Sequence, residues 1–162
     1  MFGALSHPDG PAALTTNNIV IGIGNDFRRD DGVGLAVAEQ IAERNLPGVR
    51  VVSGISEPAA LLDAWSGAVR VVVVDAATGA DTAPGRIQRW TGRELEIPPV
   101  VSSHALGLAQ SCALGNALAR MPEELVVFTV DVADTNHGIG LTPAVAAAVP
   151  RLVDLIAAEL SR

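Results

Sequence analysis

Apolar residues along the chain alternate between short β-branched runs and longer stretches with helical spacing. The runs predict strands at residues 18–23, 49–53, 69–75, 85–90 and 124–131. The helical spacings predict helices at residues 31–45 and 103–120, a helix that starts at Ser56-Glu57-Pro58 and continues to Trp65, and a final helix from Pro143 through to the C-terminus. The order βαβαββαβα predicts a three-layer α/β/α sandwich around a mostly parallel five-stranded sheet.

The direction of one strand and the buried side of one helix follow from the same pattern. The connection at 76–84 is rich in Gly, Pro, Thr and Asp and too short for a helical crossover. The strand at 85–90 is therefore expected to run antiparallel to the one before it. The residues expected on the buried side of the 103–120 helix are Leu106, Ala109, Ala113, Leu114, Ala117 and Leu118. Thr142 and Pro143 are expected to cap the final helix.

Composition bounds the class of protein. The 162 residues suit one α/β domain over 18–162, preceded by a loose N-terminal extension over 1–17. A single cysteine, Cys112, allows no intrachain disulfide and no CxxC zinc site, and is expected to be a small core residue. The N-terminus lacks the features of a signal peptide, and no 18-residue apolar run exists, so a cytoplasmic protein is expected.

Charge narrows the partners. The chain carries 11 Lys and Arg against 18 Asp and Glu, a net charge of −7, and only five aromatic residues. Nucleic acids and anionic membranes select basic surfaces, and base stacking needs aromatic side chains. The sequence therefore predicts no nucleic-acid and no membrane partner, and nothing in it demands more than a monomer.

Chemistry-bearing residues fall where parallel strands end, the edge at which open α/β sheets bind ligands. Asp31 follows the first strand, Asp75 closes the central strand and His104 begins a helix. Two carboxylates and an imidazole suit a borderline dication such as nickel, zinc or manganese. The alternative is structural: Asp31 as a helix N-cap, Asp75 as a turn residue and His104 as a first-turn helix residue.

Other motifs are weaker. Gly22-x-Gly24 lacks the third glycine of a dinucleotide site, because Phe27 stands there, and two adjacent acids would repel a pyrophosphate. His137, with Asp131, is a candidate fourth or alternative ligand, or else lies on a surface loop. Arg28 and Arg29 are expected on a solvated loop, the alternative being that they steer an acidic segment of a partner. Asn25 is expected to shape that loop, with substrate contact as a further role.

Four segments carry a family resemblance. The segments GIGNDFRRDDGVGLAVAEQI, GISEPAALLDAW, VVVVDA and SSHALGL resemble the hydrogenase maturation proteases. These endopeptidases trim the C-terminus of the large subunit of nickel–iron hydrogenases. The resemblance runs over residues 18–160 and implies an α/β/α sandwich. It also implies that Asp31, Asp75 and His104 together bind the metal.

The resemblance implies that nickel arrives already inserted in the hydrogenase large-subunit precursor. Two catalytic schemes remain open: the nickel acts as a Lewis acid on the scissile carbonyl or on water, or it only positions the substrate while Asp31 or Asp75 acts as general base. The competing functions are a non-catalytic nickel-binding chaperone or checkpoint in hydrogenase maturation, and a self-sufficient metallopeptidase.

Overall fold

The computed structural model describes residues 17–55, 57–92 and 105–162. The strands are β1 (Asn18–Gly22), β2 (Val49–Ser53), β3 (Arg70–Ala77), β4 (Ile87–Thr91) and β5 (Glu124–Asp131). The helices are α1 (Val33–Glu43), α2 (Pro58–Trp65), α3 (Ala105–Ala117) and α4 (Pro143–Leu160), with a 3₁₀ turn at Arg29–Gly32 before α1. Apart from Asn17, the predicted N-terminal extension lies outside the described residues.

The strands form one sheet in the order β2-β1-β3-β5-β4. Strands β2, β1, β3 and β5 are parallel, and β4 pairs antiparallel with β5 at the edge. The five-stranded, mostly parallel sheet with one antiparallel strand is confirmed. Within the described part of the chain, no helix combines the length and the apolar character that a membrane span requires.

Side chains alternate between the two faces of the sheet, so the protein has two cores. One face packs against α1 and α4, and its buried side chains include Val20, Val72, Val126, Val37 and Leu152. The other face packs against α2 and α3, and its buried side chains include Ile21, Val73, Val127, Leu61 and Trp65. The α/β/α layering predicted from the sequence is therefore correct.

Two element boundaries differ from prediction in ways that affect the site. Strand β3 continues to Ala77, because β5 pairs with it as far as Asp131. Asp75 therefore lies inside the strand, opposite Thr129, rather than at its end. Asp31 lies in the 3₁₀ turn, and α1 begins at Val33.

The prediction for the buried side of the 103–120 helix is wrong for four of its six residues, while Ala109 is half-buried and the Leu106 side chain lies outside what the structure describes. Leu114 and Leu118 are 39% and 52% exposed, and Ala113 and Ala117 are exposed as well. Ser111 and Gly115 are buried instead, and α3 packs closely on α2 there: a Cβ on Gly115 would lie 3.1 Å from Leu62 Cδ1. Small residues let the two helices approach, so the contact side does not follow the largest apolar side chains.

An ion pair between an exposed arginine and a buried carboxylate ties the edge strand β4 to α4. Arg89 donates from Nε and from its terminal nitrogen to the two carboxylate oxygens of Glu159, at 3.0 and 2.8 Å. Glu159 is only 4% exposed, and the hydrogen bonds from Arg89 hold the pKa of its carboxyl below the ordinary value, against the raising effect of burial. Arg44 and Asp154 form a second pair involving α4, but both side chains are exposed.

We expect Arg89→Met to lower the free energy of unfolding by about 2 kcal/mol at pH 7, because it leaves a buried carboxylate without its main partner. The folded-state pKa of Glu159 is depressed, so the pair stabilises above about pH 4.3 and that stabilisation is lost as the pH falls. Urea unfolding at pH 7 and pH 3 measures both effects. Arg44→Met is the control and should cost less than about 0.5 kcal/mol. Equal losses for the two variants at pH 7 would contradict this account.

Candidate functional site

The loop that follows β1 folds back on itself and buries Asp31. The Asn25 backbone N–H donates to the Asp31 carbonyl at 3.2 Å, and the Asp31 N–H donates to the Arg28 carbonyl at 3.1 Å. Gly24 has a φ of +149°, and a Cβ there would lie 2.0 Å from the Asp31 carbonyl oxygen. The residue at 24 must therefore be glycine for this turn to close. Asp31 itself is 1% exposed.

The first turn of α1 lies directly against the backbones of β1 and β3. A Cβ on Gly34 would lie 2.2 Å from the Ile23 carbonyl oxygen and 2.6 Å from that of Val74. The Ile23 N–H also donates to the Val74 carbonyl, at 2.9 Å. This packing brings the turn that holds Asp31 to the same edge of the sheet as Asp75, the residue after Val74.

Asp75 is 2% exposed and lies on the sheet face that α2 and α3 cover, because it alternates in step with Val71 and Val73. One carboxylate oxygen, Oδ1, accepts the Ala76 backbone N–H at 2.8 Å. On the adjacent strand β5, Asp75 pairs with Thr129. The Thr129 hydroxyl accepts a hydrogen bond from the Trp90 indole N–H at 3.0 Å. A polar strip therefore crosses an otherwise apolar face at this level.

His104 lies outside the described residues, so the predicted ligand triad stays a prediction. Helix α3 begins one residue later, at Ala105. Midway along α3, the Ser111 hydroxyl donates to the Pro58 carbonyl at the start of α2, at 3.4 Å, and Gly115 farther along lies against Leu62. Helix α3 therefore runs in the same direction as α2, and its N-terminal end lies on the side of the edge at which β2 ends. Among residues 17–55, 57–92 and 105–162, no three His, Cys, Asp or Glu side chains lie together as a metal site.

Asp30 is a buried residue whose role the sequence did not reveal. Its carboxylate accepts four hydrogen bonds from the 132–142 loop, the segment between β5 and α4. The donors are the backbone N–H groups of Ala133 (2.9 Å), Asp134 (3.0 Å) and Thr142 (2.7 Å), and the Thr142 hydroxyl (2.7 Å). Burial alone would raise the pKa of Asp30, but these hydrogen bonds outweigh it and hold the pKa below its ordinary value.

The prediction of a Thr142 cap is thus half right. Thr142 occupies the N-cap position of α4 and Pro143 follows it, but the Thr142 side chain makes no capping hydrogen bond. It donates to Asp30 instead. The Thr142-Pro143 pair correctly predicted the start of α4. The contact of Thr142 with Asp30 was missed because N-capping alone accounts for a threonine at that position.

The remaining polar residues of the loop mainly shape it. Asn25 is exposed, and its Oδ1 accepts the Phe27 N–H at 3.0 Å. Arg28 donates from Nε to the Thr135 carbonyl at 3.2 Å, and Arg29 lies 3.5 Å from Asp134. The expected solvated arginines are therefore attached to the 132–142 loop.

The alternative ligand pair and the cysteine receive structural explanations. Asp131 is fully buried, and its Oδ2 accepts the Ala83 N–H at 3.0 Å and Arg86 Nε at 2.8 Å, while His137 is exposed. Burial raises the pKa of the Cys112 thiol to about 11, so the thiol is protonated at neutral pH and is a poor nucleophile.

Known proteins resemble this chain over most of its length. The family model described as HycI, hydrogenase maturation protease, matches residues 35–159. The hydrogenase 2 maturation protease of Escherichia coli (strain K12) is 29% identical over 147 residues, covering 86% of this chain and 88% of that protein.

Two solved structures share the fold. The hydrogenase-maturating endopeptidase HybD from E. coli superposes with a TM-score of 0.81 at 24% identity, covering 90% of this chain and 92% of that one. The [NiFe] hydrogenase maturation protease HybD from Thermococcus kodakarensis gives 0.74 at 25% identity, covering 90% and 99%. The chain belongs to the hydrogenase maturation protease family.

We expect Asp30→Asn to lower the free energy of unfolding by about 3 kcal/mol at pH 7. The asparagine NH₂ group would point at a hydrogen-bond donor of the 132–142 loop, and the remaining hydrogen bonds would no longer be made to a charged acceptor. The depressed pKa of Asp30 means that its stabilisation is complete above about pH 4 and is lost as the pH falls. Urea unfolding should show that the difference in free energy of unfolding between wild type and Asp30→Asn is smaller at pH 3 than at pH 7.

Asp63→Asn is the matched control, because the Asp63 side chain is 75% exposed and pairs with a surface arginine, Arg120, at 3.1 Å. Its cost should stay below about 0.5 kcal/mol at either pH. A gap for Asp30→Asn that is unchanged between pH 7 and pH 3 would mean that the charge of Asp30 contributes no stability.

Proposed function

We propose that this chain is an endopeptidase that removes the C-terminal extension from the nickel-loaded large-subunit precursor of a nickel–iron hydrogenase. The observation that carries the proposal is the close packing of α1 on β1 and β3, which holds two buried carboxylates, Asp31 and Asp75, at one edge of the sheet. Family membership supports the reaction class.

The proposed ligands for the substrate's nickel are Asp31, Asp75 and His104. Two carboxylates offset the charge of a dication, and three protein ligands leave coordination positions for the precursor and for water. The N-terminal end of helix α3 lies on the side of the edge at which β2 ends, which supports His104, the residue before α3, as the third ligand. The nickel belongs to the substrate in this proposal, so an unprocessed precursor without nickel would bind weakly.

Two schemes for peptide hydrolysis fit these residues. In the first, the precursor's nickel polarises the scissile carbonyl or a water molecule, and Asp31, Asp75 and His104 hold it in place. In the second, the nickel only orients the precursor, and Asp31 or Asp75 takes a proton from the attacking water. The sequence contains no HExxH motif, which agrees with a hydrolase that depends on its substrate for the metal.

The second candidate function is a nickel-binding chaperone or checkpoint that uses the same residues without cleavage. Asp31 and Asp75 would serve it equally well, because metal binding alone needs no attacking water. Mass spectrometry of the nickel-loaded precursor mixed with this protein separates the two. Loss of the C-terminal extension indicates the endopeptidase, and a stable complex of unchanged mass indicates the chaperone. Cleavage of unrelated peptides with added metal would indicate a self-sufficient metallopeptidase.

We expect Asp31→Asn, Asp75→Asn and His104→Ala each to reduce processing of the nickel-loaded precursor by at least about 100-fold, because each removes a ligand or the general base. The readout is the mass of the precursor with time. Asp154→Asn, which changes a carboxylate on the exposed side of α4, is the matched control and should process normally. Normal processing by all three site variants would show that the site assignment is wrong.

A further inference from the structure

Two large apolar side chains project from the loops around the candidate site. Phe27 is 66% exposed and lies in the loop that contains Asp31, and Ile139 is 80% exposed and lies in the 132–142 loop. An exposed aromatic beside an exposed aliphatic residue is a common composition for the centre of a protein interface.

The backbones that carry these side chains are fixed to each other. The Gly138 N–H donates to the Phe27 carbonyl at 2.9 Å, and the Arg29 N–H donates to the Gly138 carbonyl at 3.0 Å. Arg28 and Gly138 form an isolated parallel bridge. The Asp30 carboxylate fastens the same two loops from inside. The loops that carry Phe27 and Ile139 are therefore held next to each other before any partner binds, which reduces the entropy lost on binding.

A cavity of about 150 Å³ lies next to Ile139 and to Asp26, the residue before Phe27. Its apolar lining comes from Leu35, Ala36, Ile139 and Leu141. Its charged lining comes from Asp26, Arg29 and Glu39. Apolar lining with charged residues alongside matches the arrangement of protein interfaces, in which an anchor side chain of the partner fills a pocket.

The short distance between Phe27 and Asp31 indicates which partner binds this surface. Asp31 lies four positions after Phe27 in the chain, so their Cα atoms are at most about 14 Å apart. A standard protein interface covers about 800 Å² on each partner, equivalent to a disc of about 16 Å radius. An interface of that size centred at Asp31 reaches Phe27 and, across the Arg28–Gly138 bridge, the loop that carries Ile139.

Two exposed leucines of the described segments lie farther from this edge. Leu155 lies 12 residues beyond Pro143 on α4, which is about 18 Å along the helix axis. Leu118 follows the far end of α3, 13 residues after Ala105. Phe27 and Ile139 thus differ from these leucines because their loops lie next to Asp31, although all four side chains are exposed.

We propose that Phe27, Ile139 and the adjacent cavity form a docking surface for the folded body of the hydrogenase large-subunit precursor. This inference rests on the proposed function and adds to it the surface through which the substrate is recognised. Neither side chain carries a titratable group, so the surface acts through affinity and leaves the hydrolytic step to the residues at the sheet edge.

The test is steady-state processing of the nickel-loaded precursor by the double variant Phe27→Ala/Ile139→Ala. We expect KM to rise by about thirtyfold, the effect of losing one interface hot spot, with kcat within twofold of wild type. Phe27→Leu/Ile139→Leu keeps the apolar contact and should restore most of the affinity. Leu155→Ala removes an exposed leucine from α4 and should leave both constants unchanged.

The outcomes separate the two proposals. If the wild-type protein processes the precursor and the double variant does so with an unchanged KM, the docking surface is wrong and the proposed function stands. If the wild-type protein leaves the extension intact, the proposed function fails, and the docking surface fails with it. A raised KM together with a lowered thermal unfolding midpoint would show a folding defect and would overturn the docking assignment, because both side chains are exposed and their removal should leave stability unchanged.

Discussion

The approach of the first turn of α1 to the backbones of β1 and β3 is the constraint on which the candidate site depends. Gly34 leaves no room for a side chain between the helix and the carbonyl oxygens of Ile23 and Val74. The distance between Asp31 and Asp75 is therefore determined by direct contact between the backbone of α1 and the backbones of the strands, and close-packed backbone deforms little. A site built to grasp an ion benefits from such stiffness, because ligand positions must hold to within a fraction of an ångström.

The adjacent aspartates of the Asp30-Asp31 pair divide two tasks. Asp30 accepts four hydrogen bonds from the 132–142 loop and is committed to structure. Asp31 lies at the end of the same turn, where the fold brings it to the edge of the sheet that Asp75 shares. The hydrogen bonds of the Asp30 carboxylate thus hold in place the turn that positions Asp31. The same fastening holds Phe27 and Ile139 in place, so the docking surface and the candidate site share one support.

The sequence predicted most of the layering and missed the contacts that are distant along the chain. Strands β2 and β5 were predicted with their observed bounds, because β-branched runs stand out from polar neighbours. The end of β3 was missed because aspartate and alanine are uncommon in strands, and only the pairing of Asp75-Ala76-Ala77 with β5 extends the strand. The buried side of α3 was missed because nearly every position there is small or apolar. Asp30 was missed because its donors lie more than 100 residues away. The role of His104 stays a prediction.

The span of the Asp30 contacts also has a consequence for the order of events during synthesis. Thr142 lies 112 residues after Asp30, so the turn that carries Asp31 gains its support only when the chain through the start of α4 has been made. A nascent chain that ends within β5 can pair the strands of the sheet and still lack this brace. Competence to bind a partner would then appear as one of the last steps of folding, after the sheet has formed.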